Sequence, residues 1–227
     1  MISRLKTMFV NIWDSLLNGN SSFRLGIYGA PNSGKTTLAN RMCKDITSNE
    51  ESSDSDDSGS KKLFSDISNV AHETRKVSVK EKLLINRNGK KMIFDLVDTP
   101  GIATRIDYEV FVKAGLTQKE AKQRAREATK GVIESIKWLE NVDIVIIMID
   151  ATKSPYNQVN LTIVGNLEAR KIPFMIVANK TDLKSSKIEK IQAAFPKYKV
   201  VGISAKFSQN MDKLYDELLV LKRKVKR

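Results

Sequence analysis

An eight-residue run near the amino end, Gly29 to Thr36, limits what this chain can fold into more than any other feature. It fits the pattern G-x-x-x-x-G-K-[ST] and lies between an apolar run and a stretch that favours a helix. Its glycines let backbone N–H groups turn inward toward phosphate oxygens, and the amino end of the helix adds a partial positive charge. The Lys35 ammonium can reach the outer phosphates, and the Thr36 hydroxyl can ligate Mg²⁺. The run predicts a phosphate-binding P-loop whose residues are Gly29, Asn32, Ser33, Gly34, Lys35, Thr36 and Thr37.

A second motif, Asp98-Thr99-Pro100-Gly101, follows the apolar run 92–97. A carboxylate just past a second strand can hold Mg²⁺ through water. The Gly101 N–H can approach a γ-phosphate because glycine has no side chain in the way. Four residues of this kind are common, so the prediction depends on their position after a strand. That position predicts that Asp98 and Gly101 contribute to the same phosphate site.

Two later motifs indicate a base-binding site. Residues 179–182 read Asn-Lys-Thr-Asp after the apolar strand 174–178, and residues 204–206 read Ser-Ala-Lys after 200–203. A carboxylate at Asp182 can accept hydrogen bonds from the N1–H and the exocyclic amine of guanine, a pair that adenine does not offer. Asn179 and the Lys180 stem would brace and cover the base, and the amides of 204–206 can donate to guanine O6. The predicted base-binding residues are Asn179, Lys180, Asp182, Ser204, Ala205 and Lys206.

With these motifs the chain resembles the translation-factor class of P-loop GTPases, and within it the Era-like proteins. Asn32 in the P-loop is typical of that branch, and His72-Glu73-Thr74-Arg75 resembles its switch I pattern. Residues 126–132 and 159–165 look like stretches of the small archaeal Era-like GTP-binding proteins that lack a KH domain. The resemblance covers roughly residues 22–221. No G-x-x-G loop follows the last predicted helix, so RNA binding through a KH domain, as in bacterial Era, is not implied.

The resemblance implies Mg-GTP as the ligand and hydrolysis to GDP and phosphate as the activity. Thr36 and Thr74 would ligate Mg²⁺, and Asp98 would act on it through water. Ile102 stands where Ras-like enzymes place a water-orienting glutamine, so slow intrinsic turnover is expected. Related proteins use a monovalent cation near the P-loop asparagine, which implies K⁺ at Asn32. The catalytic residues that the resemblance implies are Lys35, Thr74 and Gly101.

Strand and helix patterns alternate along the chain, which predicts an α/β domain with the P-loop GTPase fold. The Asn88-Gly89 pair marks a hairpin between strands near 77–85 and 91–97, so these two should pair antiparallel. The other four strands alternate with helices and should be parallel. We therefore expect a six-stranded, mostly parallel sheet with one antiparallel edge strand and helices on both faces. These four strands are predicted near 23–28, 143–150, 173–178 and 200–204.

A long helical stretch follows Gly101, from about 107 to 138. Thr117 with Glu120 three residues later is a helix-start signal inside it. Two interpretations stay open at this point: one long helix, or two helices that are broken near Gly115.

Two segments lie outside this plan. We expect an insertion at switch I over 46–71, acidic and serine-rich, which is too poor in apolar side chains to order itself. It is either a solvated insertion or a mobile acidic lid that competes with anionic partners. Residues 1–21 predict an amphipathic helix ahead of a G domain at 22–227. That helix either packs on the G domain or binds an anionic membrane surface or a partner through residues 1–18.

Charge and composition indicate which classes of partner and which cellular location to expect. The net charge of +13 and the basic tail 222–227 favour nucleic acid or anionic lipid, although a solvated helix end also accounts for the tail. No apolar run has membrane-spanning length, and Cys43 is the single cysteine, as suits a cytoplasmic protein. His72, the single histidine, is either a surface residue or part of the switch.

The function expected from these features is a slow GTPase that acts as a nucleotide-dependent switch, with GTP and GDP as ligands. The basic surface and the Era-like core favour a role in ribosome or RNA assembly, with ribosomal RNA or a ribosomal particle as partner. Two alternatives stay open: a GTPase switch at a membrane surface, and a non-hydrolysing GTP-sensing scaffold. The oligomeric state is not defined by the sequence.

Overall fold

The computed structural model of this protein describes residues 23–47, 77–87, 90–102, 108–113 and 115–225. Over these ranges, strands and helices alternate as the sequence predicts. The strands are β1 (Phe23–Gly29), β2 (Ser78–Arg87), β3 (Lys90–Asp98), β4 (Ile144–Asp150), β5 (Phe174–Asn179) and β6 (Val200–Gly202). The α-helices are α1 (Lys35–Thr47), α2 (Tyr108–Lys113), α3 (Gln118–Trp138), α4 (Gln158–Ala169), α5 (Ile188–Ala194) and α6 (Met211–Lys222). A 3₁₀ turn, Leu139–Asn141, follows α3.

The strands form one six-stranded sheet in the order β2-β3-β1-β4-β5-β6. β2 and β3 are antiparallel, and all other neighbouring strands are parallel. Arg87 pairs with Lys90 across the predicted hairpin, whose Asn88-Gly89 turn lies outside the described residues. The predicted fold class, with its antiparallel edge strand, is confirmed.

Helices cover both faces of the sheet, which explains why its central strands β1 and β4 are mostly apolar. Every residue of β4 is buried, as expected of a parallel strand with helices above and below. On one face α1 and α6 pack their apolar side chains, including Leu38 and Leu214, against the sheet. On the other face α3, α4 and α5 do the same, with Leu167 and Ile191 in the core. The loops at the carboxyl ends of the parallel strands are thereby held at one edge.

The predicted long helical stretch is two helices. Gly115 lies between α2 and α3 with φ +98°, a backbone conformation that favours glycine. Thr117 caps α3: its Oγ1 accepts from the Glu120 N–H at 3.4 Å, and its own N–H donates to Glu120 Oε2 at 2.9 Å. These reciprocal bonds start a new helix after the turn, so the interpretation with a break near Gly115 is correct.

Several predicted features fall outside the described residues: the amphipathic helix at 1–21, His72, Thr74 and most of the acidic insertion. The first two residues predicted for the insertion, Ile46 and Thr47, instead end α1. β6 is shorter than predicted and ends at Gly202, and Ser204 instead forms an isolated bridge with Gln209. Within the described ranges, no helix has both the length and the apolar character needed to cross a bilayer.

Candidate nucleotide-binding site

The loop between β1 and α1 has the backbone that a phosphate-binding loop requires. Gly29, Asn32 and Gly34 have φ values of +152°, 60° and +96°. A Cβ at Gly34 would lie 2.2 Å from the Asn179 Nδ2 atom, and one at Gly29 would lie 2.4 Å from the Met148 carbonyl oxygen. Both glycines are therefore required by their conformation and by close neighbours.

The Lys35 side chain is buried inside this loop and is only 6% exposed. Its Nζ donates a hydrogen bond to the Ala30 carbonyl oxygen at 3.0 Å. Burial lowers the pKa of Lys35 to about 8, against the opposing effect of the Asp98 carboxylate. Burial removes most of the water around this ammonium group, and among the described residues it has one hydrogen-bond acceptor, the Ala30 carbonyl. Such a cation should bind phosphate oxygens strongly.

Asp98 and Thr36 meet beside Lys35. The Thr36 Oγ1 donates to Asp98 Oδ2 at 2.7 Å, whereas the buried Asp98 Oδ1 has no hydrogen-bond donor among the described residues. Burial raises the pKa of Asp98 to about 6, although the Thr36 hydrogen bond and the Lys35 charge oppose this. A hydroxyl beside an unpartnered carboxylate oxygen is the donor set that Mg²⁺ prefers, so these residues fit the ion.

The segment after β3 lies directly against the P-loop. The Ile102 N–H donates to the Gly29 carbonyl at 3.1 Å, and the Thr99 Oγ1 donates to the Ile27 carbonyl at 2.7 Å. A Cβ at Gly101 would lie 2.8 Å from Pro31 Cα, so no larger residue fits there without a shift. Ile102 itself is packed in the core and is only 4% exposed. Its side chain therefore packs into the core of the sheet and is not available to contact a bound ligand.

Asn179 joins the P-loop to the predicted base-binding loop. Its Nδ2 donates to the Ser33 carbonyl at 2.8 Å, and its Oδ1 accepts from the Ala205 N–H at 3.0 Å. The Ser204 N–H donates to the Gln209 carbonyl at 3.3 Å. Two of the three amides predicted to contact guanine O6 thus have acceptors already, because Asn179 and the bridge to Gln209 use them. Of these three amides, the Lys206 N–H has no acceptor among the described residues and is available to guanine O6.

Lys180 and Asp182 both follow β5, but among the described residues only the Lys180 side chain has a hydrogen-bond partner. The Lys180 Nζ donates to Asp150 Oδ2 at 2.6 Å, and Asp150 Oδ1 accepts from the Thr152 N–H and hydroxyl at 3.0 and 2.6 Å. Burial alone would raise the pKa of Asp150, but these hydrogen bonds outweigh it and the pKa is lowered. The half-buried Asp182 has no hydrogen-bond donor among the residues that the structure describes. Its carboxylate is available to a ligand.

Asp150 is the site residue that sequence reasoning missed. It ends β4 in the same way that Asp98 ends β3, and that shared position is the signal that could have found it. Thr74, predicted to ligate Mg²⁺, lies outside the described residues. The structure brings together the other predicted groups at the carboxyl ends of β1, β3, β5 and β6.

Replacing Asn179 by alanine should loosen the junction between the two loops. The buried Ser33 carbonyl and the Ala205 N–H would each lose a partner, and a buried polar group left unsatisfied costs about 1–3 kcal/mol. We expect a lower free energy of unfolding in the absence of nucleotide, measured by urea denaturation. Asn166→Ala, which removes an exposed amide on α4, is the matched control. Equal stability of the two variants would contradict the bridging role of Asn179.

The sheet order, the strand–loop–helix around Lys35 and the oxygen pair of Thr36 and Asp98 define a P-loop nucleotide-binding protein. The sequence profile of the family described as 50S ribosome-binding GTPase matches residues 24–180. The chain belongs to this GTPase family.

Relatives and solved structures of similar proteins agree with this assignment. GTPase Der of Syntrophotalea carbinolica is 27% identical over 205 residues, which are 86% of this chain and 38% of Der. The tRNA modification GTPase MnmE of Helicobacter acinonychis is 29% identical over 170 residues, 75% of this chain and 28% of MnmE. This chain therefore spans well under half the length of these relatives.

Two solved structures share the fold. A variant of Aquifex aeolicus Era bound to GDP.AlF4⁻ superposes with a TM-score of 0.62 at 23% identity, over 88% of this chain and 56% of that one. Era in complex with MgGDPNP and nucleotides 1506–1542 of 16S ribosomal RNA gives a TM-score of 0.62 at 24% identity, with the same coverage. At this identity, the likeness establishes the fold.

Proposed function

We propose that this protein binds Mg-GTP, hydrolyses it slowly to GDP and phosphate, and acts as a nucleotide-dependent switch in ribosome- or RNA-related assembly. The observation that carries the proposal is the Asn179 bridge. By bonding to Ser33 in one loop and Ala205 in another, Asn179 holds the phosphate-binding and base-binding loops together. Asp182, three residues further along, has a carboxylate free to select guanine.

In this proposal each described group has a defined task. The P-loop amides and the Lys35 ammonium bind the phosphates, with Nζ exchanging the Ala30 carbonyl for phosphate oxygens. The Gly101 N–H contacts the γ-phosphate, and losing that contact after hydrolysis releases Gly101 and Thr74. Thr36 and Thr74 would ligate Mg²⁺, and Asp98 would act on it through water. When bound, the ion would neutralise charge on the phosphates.

Slow turnover follows from the core position of Ile102. Because no water-orienting side chain occupies that position, the rate must come from the positioning of the nucleotide and from neutralisation of its phosphate charge. A single-turnover phosphate-release assay with Mg-GTP tests this part of the proposal. If GTP binds tightly but no phosphate is released above the uncatalysed rate, the non-hydrolysing scaffold replaces the switch.

A potassium ion at Asn32 is proposed to supply part of the missing charge. Asn32 is exposed and has no described side-chain partner, so its amide oxygen is available to a cation. Hydrolysis should then be several-fold faster in KCl than in NaCl at equal ionic strength. Asn32→Gly should abolish the difference, and it is preferable to alanine because φ at this position is 60°. Equal rates in both salts would favour a residue supplied by a partner instead.

For the output of the switch we propose a ribosomal particle or ribosomal RNA in the cytoplasm as partner. The family is described as ribosome-binding, one structure of similar fold holds a 16S RNA segment, and the net charge is +13. Co-sedimentation with ribosomal particles, in GDP and in a non-hydrolysable GTP analogue, tests this. Anionic vesicles are the second arm, because residues 1–18 are the proposed membrane element. Binding to vesicles alone would favour the membrane-surface switch.

A further inference from the structure

A depression of about 630 Å³ lies next to the nucleotide site. None of the described residues that line it is among the predicted nucleotide-binding residues. One wall is the segment 151–156 after β4, and the other is formed by α5 and the loop before it. Lys153 and Tyr156 line the first wall, and Lys187 and Lys190 line the second. We call this the lysine pocket and define it by these four side chains.

The lysine pocket carries uncompensated positive charge. Lys153, Lys187 and Lys190 are all exposed, and within the described part of the chain none forms an ion pair. No aspartate or glutamate is among the described residues that line the depression. A concave surface lined by charges of one sign focuses the electrostatic field, so three cations around this depression favour an anionic ligand.

Tyr156 gives that ligand a second characteristic. Its side chain is 66% exposed, although tyrosine is a large and largely apolar residue. An exposed aromatic ring beside lysines is the combination that binds single-stranded nucleic acid, because bases stack on the ring while ammonium groups contact the phosphates. An acidic peptide would use the charges but has no flat base to place on the ring.

The wall that carries these side chains is held in place by hydrogen bonds. The buried Asn160 donates through Nδ2 to the Pro155 carbonyl at 3.0 Å, next to Tyr156. The Lys187 N–H donates to the Ala151 carbonyl at 2.8 Å and ties the two walls together. Thr152 is fixed by the Asp150 carboxylate. The concave shape therefore exists before any ligand binds, which lowers the entropic cost of binding.

We propose that the lysine pocket is a binding site for single-stranded RNA, with one base stacked on Tyr156 and the phosphates held by Lys153, Lys187 and Lys190. The choice of RNA over other polyanions rests on the proposed ribosome-linked function. The pocket lies beside the β4 and β5 loops of the GTPase domain itself. Binding here requires no separate RNA-binding domain.

Fluorescence anisotropy with a labelled single-stranded 12-nucleotide RNA tests the site, using the 227-residue chain. Tyr156→Ala should weaken binding by about 5- to 150-fold, the effect of losing one stacked base. Tyr156→Phe, which keeps the ring, should bind like the wild type. The triple variant Lys153→Ala, Lys187→Ala, Lys190→Ala should also reduce the steepness of log K against log salt by about 2, since each single-strand phosphate contact contributes about 0.7.

A second triple variant controls for net charge. Lys130→Ala, Lys197→Ala, Lys213→Ala removes the same number of exposed lysines at positions outside the pocket. Equal weakening by both triples, or a pocket triple that binds like the wild type, would overturn the proposal. So would preferential binding of an acidic peptide or anionic vesicles that the pocket triple abolishes. GDP affinity is measured on the same samples: intact GDP binding without RNA binding rejects this site alone, whereas absent GDP binding rejects the proposed function.

Discussion

Asp182→Asn should bind GDP and GTP at least about 100-fold more weakly than the wild type and should gain affinity for xanthine nucleotides. The wild-type carboxylate would accept two charge-assisted hydrogen bonds from guanine, each contributing about 1.5–3 kcal/mol. An asparagine amide instead places N–H donors against the guanine amine, whereas xanthine offers a carbonyl there. Calorimetric titration with GDP, XDP and ADP measures all three affinities.

Asp216→Asn is a suitable control for this change of specificity. It removes one carboxylate from the exposed side of α6, so nucleotide affinity should stay the same. The wild type should bind ADP far more weakly than GDP, because adenine leaves the Asp182 carboxylate without its donors. Similar affinities of the wild type for ADP and GDP would remove the basis for assigning Asp182 to the base.

Lys35→Met should weaken nucleotide binding but raise the stability of the nucleotide-free protein. Weaker nucleotide binding, by roughly tenfold or more, is expected from the loss of charge-assisted bonds to the phosphates. The nucleotide-free protein should at the same time become more stable by about 1–3 kcal/mol, because the folded state no longer buries an ammonium group. Urea denaturation without nucleotide and calorimetry with GDP measure the two effects. Unchanged GDP affinity would mean that Lys35 does not contact phosphate.

The pH dependence of stability provides a second measurement on Lys35. Its pKa is lowered from 10.5 to about 8 in the folded protein, so between these pH values the unfolded chain holds a proton that the folded chain has released. The Lys35 titration should therefore add to the free energy of unfolding of the nucleotide-free wild type as the pH increases from about 8 to about 10.5, against an opposing contribution from Cys43, Tyr28 and Tyr215, whose pKa values are raised by burial. Lys35→Met should lack the Lys35 contribution, so the difference in free energy of unfolding between the two proteins is the quantity to measure. Lys44→Met, an exposed position on the same helix, should retain the Lys35 contribution.

The fold was predictable because its signals are local and agree with one another. The P-loop, the hairpin pair and the Thr117–Glu120 cap each determine a short segment, and the alternation of strands and helices orders them. The partners of the site were less predictable, because they depend on distances between segments far apart in the chain. Asp150 is an ordinary strand-end residue in the sequence, and only the folded chain places it against Lys180. Likewise, nothing in Ser204-Ala205-Lys206 shows that Asn179 takes up the Ala205 amide.

The order of strands also determines when the site can form during synthesis. β1, which carries the P-loop, pairs on one side with β3 and on the other with β4, so that Leu25 aligns with Leu96 and with Ile144. Such long separations in sequence are expected to make folding slow, since the chain between the strands must be closed into a loop first. Asn179 cannot brace Ser33 until β5 has been added, and Ala205 follows later still. A nascent chain that stops before Ala205 contains the whole P-loop motif but should not yet retain nucleotide, which reserves binding for the finished domain.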